Sequence, residues 1–465
     1  MTRREALFRW ANGFGGLALF GLLASCQPRG AQPPARSDHR RRVARARHVI
    51  FLYMDGGPSQ IDTFDPKPRL AKEHGLPIKM KTPATQFNIG DKVMKSPYEF
   101  RRHGECGAAV SEIFPNMATC VDEMAIIRSM VSDHSEHTAA NFFLHTGSGM
   151  PGRPSLGAWV TYGLGTESDD LPAFVVLDSG LIPLGGADCF GNGFLPTKFQ
   201  GTVFRRGTTP VADVRRRELS AVLQRAKLEL AGELNRAAIE PLAGTSELEA
   251  VIANYELAFR MQTAIPDLLE FRGESRATLA SYGIDRKETE TFGRQCLLAR
   301  RLVERGVRFV QLLPPKLPEH NRWDQHSHLI EHHRTNALAV DKPIAGLIRD
   351  LRRRGLLEQT LIVWGGEFGR TPMAQEMAAG KNGRDHNPFG FTMWMAGGGI
   401  KPGTIYGETD EYGYYAVENP VHVHDLHATI LHLLGIDHEQ LTYRYGGRDF
   451  RLTDVYGDVV ESILA

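Results

Sequence analysis

Imidazole side chains are concentrated in the C-terminal third of the chain. Eleven of the 18 histidines lie beyond position 319, and several of them stand beside acidic residues. Asp324 and His328 are four residues apart, and on a helical turn this spacing would place both side chains on one face, where they can hold one cation. Carboxylate and imidazole ligands suit zinc, manganese or a similar divalent ion. The spacing therefore predicts a metal-binding site.

Three further candidates stand next to apolar runs that are typical of buried strands. They are Asp55 after HVIFLYM, Glu367 after LIVWGG and His386 before FTMWMA. Because ligands of open α/β sheets bind beyond the carboxyl ends of the strands, we expect these side chains to meet Asp324 and His328. Singly, two of these residues also have a structural interpretation. Asp55 can cap the next helix, and Glu367 can pair with Arg370.

Strand-length apolar runs alternate with longer helical stretches along the chain. The runs lie at 48–54, 125–130, 173–177, 307–313, 361–364 and 391–396. From 212 to 305 the pattern is helical and charged, which predicts a helical insertion. Strands alternating with long helices predict an α/β fold, with a doubly wound, mainly parallel sheet sandwiched by helices. We assign residues 48–465 to this domain.

The N-terminal segment, residues 1–26, has the features of an export signal. Arg3-Arg4 is followed by an apolar run from Gly13 to Ala24, which is shorter than the ~20 residues of a membrane-spanning helix. The paired arginines indicate the twin-arginine route. Leu23-Ala24-Ser25-Cys26 has lipobox spacing, so we expect lipidation at Cys26, with an ordinary cleaved signal as the alternative. Residues 27–47 are expected to form a flexible tether, and the protein to be a periplasmic or outer-membrane lipoprotein.

Composition and charge exclude several classes of protein. Hydrophobic residues make up 42% of the chain and charged residues 23%, which is typical of a globular domain rather than a disordered or polytopic membrane protein. The 55 basic and 54 acidic residues leave a formal charge of +1, so no global field attracts nucleic acid. We expect no nucleic-acid partner, and membrane contact only through a lipid anchor.

The order of the candidate ligands resembles the alkaline phosphatase superfamily, which includes the sulfatases. There, an Asp after the first strand is followed by Asp-x-x-x-His, by Asp-His after a later strand, and by a final His. Asp55 matches the first Asp, and Asp324 with His328 matches Asp-x-x-x-His. Glu367 stands in the place of Asp-His, and His386 in that of the last His.

A second assignment of the same pattern is open. In it, Asp385-His386 is the Asp-His pair, and the last ligand is His422 or His424. We prefer the first assignment because Glu367 directly follows a strand-like run and His386 precedes one.

Four longer motifs carry a closer resemblance. They are GGPSQIDTFDPKP at 56–68, GGEFGRTP at 365–372, RDHNP at 384–388 and GGRDFRLTDVYGDV at 446–459. On these motifs, residues 48–465 are identified as a member of a bacterial exported family, the domain-of-unknown-function family 1501 (DUF1501). The resemblance implies a sulfatase-like fold.

The resemblance also implies a metal centre built from two half-sites. The half-site of Asp-x-x-x-His and the last His is complete, whereas the half-site of Asp55 and Glu367 lacks a ligand, because Phe368 cannot coordinate a metal. Three residues are left open as substitutes: Asp62, Asp65 and His134. We therefore expect one divalent metal rather than two, namely zinc, with manganese and calcium as the other candidates.

The resemblance places the nucleophile less clearly. No cysteine stands in the Cys-x-Pro-x-Arg or Cys-x-Ala-x-Arg motif that sulfatases oxidise to formylglycine, which argues against an enzyme of that type. Ten residues before Gly147 lies His137, with Thr138 beside it. Thr138 is then the candidate nucleophile, and His137 a second-metal ligand or a general acid. The alternative is that His137 only caps a helix.

Two arginines are candidates for holding anionic oxygens. Arg370 lies three residues after Glu367, and Arg384 stands beside Asp385-His386. A guanidinium can bind two oxygens of a phosphate or sulfate group at once. The alternative for both is structural pairing, with Glu367 and Asp385 respectively.

Together these features predict an exported metal-dependent hydrolase of phosphate or sulfate esters. Its substrate would be a small or polymeric anionic ester, polysaccharide included. The alternative is a catalytically degenerate, sulfatase-like envelope lipoprotein that binds a glycan or a protein partner, which the missing ligand at Phe368 and the absent nucleophile motif favour. A purely structural surface protein fits the anchor but leaves the histidine-rich C-terminal part unexplained.

Overall fold

The computed structural model describes residues 43–83, 90–207, 211, 220–239, 246–317, 322–375 and 382–465. The predicted export signal with Cys26, and the tether up to residue 42, lie outside the described residues. Arg45 and Ala46, which the prediction placed in the tether, both donate their backbone N–H to Leu433 O at 2.9 Å, and Ala46 is buried. The packed domain therefore begins by Arg45. Among the described residues, we find no helix with the length and apolar character needed to cross a bilayer.

The described residues fold into both strands and helices. The strands are β1 (His48–Tyr53), β2 (Phe100–His103), β3 (Ala108–Ser111), β4 (Met124–Val131), β5 (Phe174–Leu177), β6 (Thr202–Phe204), β7 (Phe309–Leu312), β8 (Thr360–Gly365), β9 (Gly369–Ala374), β10 (Arg384–Asn387), β11 (Phe391–Ala396), β12 (Thr404–Tyr406), β13 (Glu408–Thr409), β14 (Ala416–Glu418), β15 (Val421–His422), β16 (Tyr443–Tyr445) and β17 (Arg448–Phe450). The helices are α1 (Gln60–Thr63), α2 (Pro68–Lys72), α3 (His137–Thr146), α4 (Leu156–Leu164), α5 (Ala221–Ile239), α6 (Ser246–Leu269), α7 (Arg276–Ser281), α8 (Glu290–Glu304), α9 (Leu329–Arg353) and α10 (Val423–Leu433).

One large sheet forms the centre of the domain. Its strand order is β12-β4-β11-β8-β1-β7-β5-β6, with β15 also paired to β4. β1 runs parallel to β7 and β8, and β5 runs parallel to β6 and β7. Only β11 is antiparallel to its neighbours, β4 and β8. The sheet is therefore mixed and mostly parallel, which confirms the predicted fold class.

Both faces of the sheet are covered, as the continuous apolar character of β1 requires. Ile50 and Leu52 point into one hydrophobic cluster, which includes apolar residues of α8 and α9. Val49 and Phe51 point into a second cluster, on the other face, with residues of α3, α4 and α10. Because successive side chains of a strand alternate between faces, two helical layers are needed to bury one apolar strand.

The predicted helical stretch at 212–305 holds four helices, α5 to α8, in its described part. The last of them, α8, is not peripheral. Phe292, Cys296 and Leu302 are buried in the core cluster that it shares with the central sheet. α8 is therefore one of the layer helices that cover the sheet, although it lies within the stretch that the sequence marks as an insertion.

Candidate metal centre

The ends of five strands meet at one edge of the central sheet. β11 is antiparallel to both β4 and β8, so β4 runs in the same direction as β8 and β1. The carboxyl ends of β1, β4, β7 and β8 thus meet the amino end of β11. α3 begins after β4, the segment at 322–328 follows β7, and β10 precedes β11. Residues far apart in sequence are collected at this edge.

Four side chains form a compact group there. The possible ligand atoms of His137, Asp324, His326 and His386 all lie within 4.8 Å of one another. Asp324 Oδ1 is central: it lies 3.2 Å from His137 Nε2, 2.9 Å from His326 Nε2 and 3.3 Å from His386 Nε2. His326 Nε2 and His386 Nε2 are 3.0 Å apart.

Hydrogen bonds orient two of the imidazoles toward this centre. His137 Nδ1 lies 2.6 Å from Glu367 Oε1, and His386 Nδ1 lies 2.6 Å from the backbone oxygen of Ser135. Each Nδ1 faces an acceptor and therefore carries a proton, so Nε2 is the nitrogen that can offer a lone pair to a cation. Metal-binding histidines are commonly held in this way by a carboxylate or a carbonyl behind them.

The group fits a divalent cation. Ligand atoms around a tetrahedral zinc lie about 3.3 Å from each other, close to the four separations given above. His137 Nε2 is buried and makes no hydrogen bond, although it is 3.2 Å from Asp324 Oδ1, because the contact lacks hydrogen-bond geometry. A buried ring nitrogen without a hydrogen-bond partner is costly unless another ligand satisfies it. Three imidazoles and one carboxylate suit zinc.

Glu367 lies behind His137 and outside the group of four. It is fully buried, and besides His137 it accepts hydrogen bonds from Tyr53 Oη at 2.9 Å and from Gly56 N–H at 2.9 Å. Tyr53 Oη also contacts Asn141 Oδ1. The carboxylate predicted as a ligand is thus held by the end of β1 and orients an imidazole instead.

Protonation at the centre follows from burial and from neighbouring charges. Burial opposes a charge on His137, but its contacts with Asp324 and Glu367 raise its pKa to about 9. Burial lowers the pKa of His386 to about 4, and the nearby Arg370 acts in the same direction. Burial opposes the charged form of Asp324, yet Arg370 and the imidazoles hold its pKa well below the usual range. In the absence of a cation, His137 therefore carries the compensating proton.

Asp55 is not among the four. Its Oδ1 lies 3.1 Å from Tyr53 Oη, and its Oδ2 is paired with Arg322 Nη1. The carboxylate is fully buried, whereas the Arg322 side chain is 20% exposed. Arg322, which the sequence analysis did not single out, neutralises the predicted ligand.

His326, rather than His328, lies beside Asp324. His328 is exposed, precedes the first residue of α9 with φ at 53°, and its ring stacks on His332 with centroids 5.4 Å apart. A spacing of four residues places two side chains on one face only within a helix. Asp324 and His328 both precede α9, which begins at Leu329. In non-helical chain, side chains two residues apart face the same way more readily.

Arg370 is buried and holds Asp324. Its Nη2 lies 2.7 Å from Asp324 Oδ1, its Nε donates to Gly57 O at 3.0 Å, and its Nη1 donates to Arg384 O at 3.2 Å. The side chain is 0% exposed. These contacts differ both from the predicted role, binding substrate oxygens, and from the predicted pairing with Glu367.

The remaining candidates have other partners. Thr138 follows His137 in the first turn of α3, where its N–H donates to Glu136 Oε1 at 2.9 Å. Phe368 packs on His386 and His137, with ring centroids 4.5 and 4.8 Å apart, and forms an apolar wall of the centre. Outside the group of four lie the residues held open as substitute or alternative ligands, namely Asp62, Asp65, His134, His422 and His424.

Residues 46–464 match the family described as "Protein of unknown function (DUF1501)". The chain belongs to this family. No curated protein matches this DUF1501 protein.

Solved structures provide distant similarities. The chain is similar to the lipoteichoic acid synthase LtaP from Listeria monocytogenes, with 10% identity, 91% of this chain and 78% of that chain covered, and a TM-score of 0.33. It is also similar to the PsFucS1 sulfatase from Pseudoalteromonas sp., with 13% identity, 84% and 68% covered, and a TM-score of 0.34. The chain is also similar to a mutant of TAB5 alkaline phosphatase, with 9% identity, 85% of this chain and 99% of that chain covered, and a TM-score of 0.34.

Proposed function

We propose that this DUF1501 protein is a metal-dependent hydrolase of phosphate or sulfate esters that uses one zinc ion and no formylglycine. The observation that carries the proposal is the group of His137, Asp324, His326 and His386, whose ligand atoms lie within 4.8 Å. Three observations support a cation at this point. The donors are three imidazole nitrogens and one carboxylate oxygen, the distances between them suit one ion, and His137 Nε2 is buried. When bound, a zinc ion would polarise an ester oxygen and stabilise the charge that develops on it.

The surrounding residues prepare this centre. Glu367 keeps the proton of His137 on Nδ1, and Arg370 holds the carboxylate of Asp324 in place while keeping it ionised. Phe368 covers two of the imidazoles and excludes water from one side of the centre. Because these contacts exist before any ligand binds, little reorganisation is needed during a reaction.

Thr138 and Arg322 complete the proposed machinery. Thr138 is half-buried in the first turn of α3, directly after His137, and is assigned as the nucleophile in this proposal. Arg370 is fully buried, whereas the Arg322 side chain is 20% exposed beside Asp55. Arg322 is therefore the better candidate for the anionic oxygens of a phosphate or sulfate ester. Arg322→Ala should raise the KM of an ester substrate more than it lowers kcat, and Arg322→Lys should restore part of the loss.

The metal content of the purified chain is the first test. Protein prepared without chelator should contain about one equivalent of zinc by mass spectrometry, and Asp324→Ala and His386→Ala should contain none. A panel of aryl phosphate, phosphodiester and sulfate esters then tests turnover. A chain without metal above background would rule out the proposed chemistry.

A second candidate function is supported by the number of ligands. Structural zinc sites are filled by four protein ligands, whereas catalytic sites keep a position open, and this group offers four. In that case the protein would be a non-catalytic envelope protein, whose zinc stabilises the fold and whose surface binds a glycan or a protein. It would bind one zinc, melt at a lower temperature with chelator, and turn over none of the esters.

Export and lipidation remain part of the proposal. They rest on Arg3-Arg4 and on the lipobox ending at Cys26. Cys26→Ser should abolish the incorporation of labelled palmitate and release the protein from the membrane fraction. The double substitution Arg3→Lys and Arg4→Lys should keep the protein in the cytoplasm.

A further inference from the structure

A cleft lies between the segment at 186–201 and the tip of the β16–β17 hairpin. Its volume is about 500 Å³, within the range of small-molecule sites. None of the four residues of the metal group lines it. The described residues around it include Asp188, Asn192, Gln200 and Tyr445.

A rigid stack of aromatic rings forms one side of the cleft. Tyr445 stacks on Phe194 with ring centroids 5.0 Å apart and planes inclined by 15°, and Phe194 stacks on Tyr443 at 5.9 Å and 17°. Phe450 contacts Phe194 from another side at 5.0 Å. Tyr445 nevertheless remains 55% exposed. An aromatic ring that is held in place and open to solvent can be covered by a ligand at little cost in conformational entropy.

The rest of the lining includes glycines and polar side chains. Gly191, Gly193 and Gly201 line it and leave the backbone accessible. A Cβ at Gly193, whose φ is +51°, would approach the carbonyl carbon of Arg153 to 2.5 Å, so this turn requires glycine. The Asn192 side chain donates to Gly193 O at 3.2 Å and also to Leu195 O, which holds it in place and leaves its Oδ1 as an acceptor.

The combination of these walls selects a ligand class. A pyranose ring offers a face of C–H groups that packs on an aromatic ring, and a rim of hydroxyls that need donors and acceptors within hydrogen-bond reach. Tyr445 provides the aromatic ring for the C–H face, while Asn192, Gln200 and the glycine backbone provide hydrogen-bond partners for the hydroxyls. Asp188 is the one charged residue among the described residues that line the cleft, so the lining itself offers no cation to a sulfated or uronic unit.

We propose that this cleft binds a neutral saccharide, with one sugar ring stacked on Tyr445 and its hydroxyls on the rim at Asp188, Asn192 and Gln200. The site is separate from the metal centre and does not depend on the proposed hydrolase activity. It would hold an uncharged part of a glycan chain.

Isothermal titration calorimetry of the full chain with cellotetraose, maltotetraose and chitotetraose tests the proposal, with tetragalacturonate as the anionic probe. At least one neutral probe should bind, and Tyr445→Ala should weaken its binding by about fivefold or more, the effect of losing one aromatic contact. Tyr255→Ala is the matched control: Tyr255 is 64% exposed on α6, lies outside the cleft, and its loss should leave binding unchanged.

A variant of the metal centre separates this proposal from the hydrolase proposal. Asp324→Ala removes the metal centre and should leave saccharide binding intact, so a failure of the hydrolase proposal and a failure of this one are separable. No heat from any neutral probe at 10 mM, tighter binding of tetragalacturonate than of every neutral probe, or equal affinities of wild type and Tyr445→Ala would each overturn the assignment.

Discussion

His137 Nδ1 lies 2.6 Å from Glu367 Oε1, so a carboxylate from the end of β8 sets the direction of an imidazole from the start of α3. This contact joins two chain segments 230 residues apart. Its consequence is that the Nε2 of His137 points at Asp324, where a cation can bind.

Removing the charge of Glu367 should weaken metal binding without removing a ligand. Glu367→Gln leaves a side chain of the same size that holds the His137 proton less strongly. Loss of a carboxylate behind a ligating histidine lowers metal affinity by about 10–100-fold. Competition with a chromogenic chelator measures this change, and the exposed Glu358→Gln is the control. Equal zinc affinities in wild type and Glu367→Gln would contradict the positioning role.

His326 and His328 form a matched pair of histidines in one short segment. His326→Ala should lose most of the bound zinc because His326 Nε2 lies 2.9 Å from Asp324 Oδ1. His328→Ala should retain it, since His328 is exposed and stacks on His332. Metal content by mass spectrometry distinguishes the two, and the reverse order would restore the Asp-x-x-x-His assignment.

Thr138 allows a test of the nucleophile by two conservative changes. Thr138→Val keeps the shape and removes the hydroxyl, whereas Thr138→Ser keeps the hydroxyl. We expect turnover of an ester substrate to be lost in the first variant and to remain within about tenfold of wild type in the second. Both should bind one zinc. Undiminished turnover by Thr138→Val would assign the attack to water.

Removing one partner of the buried pair of Asp62 and Arg384 should strongly destabilise the protein. Arg384 Nε lies 2.7 Å from Asp62 Oδ2, and both side chains are 0% exposed. Burial disfavours the charged form of Asp62, yet Arg384 holds its pKa below the usual value. Asp62→Asn leaves a buried guanidinium uncompensated, which costs about 3–5 kcal/mol. Denaturant unfolding measures this, and the exposed Asp449→Asn provides the reference for a surface pair.

Stability should fall as the pH drops below about 6.5, because histidines are buried in neutral form. Burial lowers the pKa of His333 to about 3 and that of His427 to about 3, against about 6.5 in the unfolded chain. Between these values the unfolded state binds more protons, so the stabilisation is complete above pH 6.5 and is lost toward pH 3.

His427→Gln isolates one of these groups. The slope of the free energy of unfolding against pH should decrease by up to about 1.4 kcal/mol per pH unit between pH 6 and 4. His328→Gln, the same replacement at an exposed position, is the comparison variant. An identical slope for wild type and His427→Gln would mean that His427 is not buried in neutral form.

Part of the site was predictable because it depends on strand ends. Asp324 and His386 were identified by their position after or before apolar runs, and the sheet does bring both to one edge. His326 was missed, although it lies between Asp324 and His328 in the sequence WDQHSH, because the prediction assumed a helical turn where the chain is irregular. A spacing of four residues specifies a direction only when the backbone conformation is known.

The sequence by itself determined the fold class and the family, since hydrophobic periodicity and long motifs are local properties of the chain. Only the tertiary structure decided which carboxylate faces the centre and which stands behind it. Glu367 orients His137, Asp55 is neutralised by Arg322, and Arg370 holds Asp324. These roles depend on hydrogen bonds and ion pairs between segments up to 314 residues apart, and their geometry is set by how the strand ends and loops pack together.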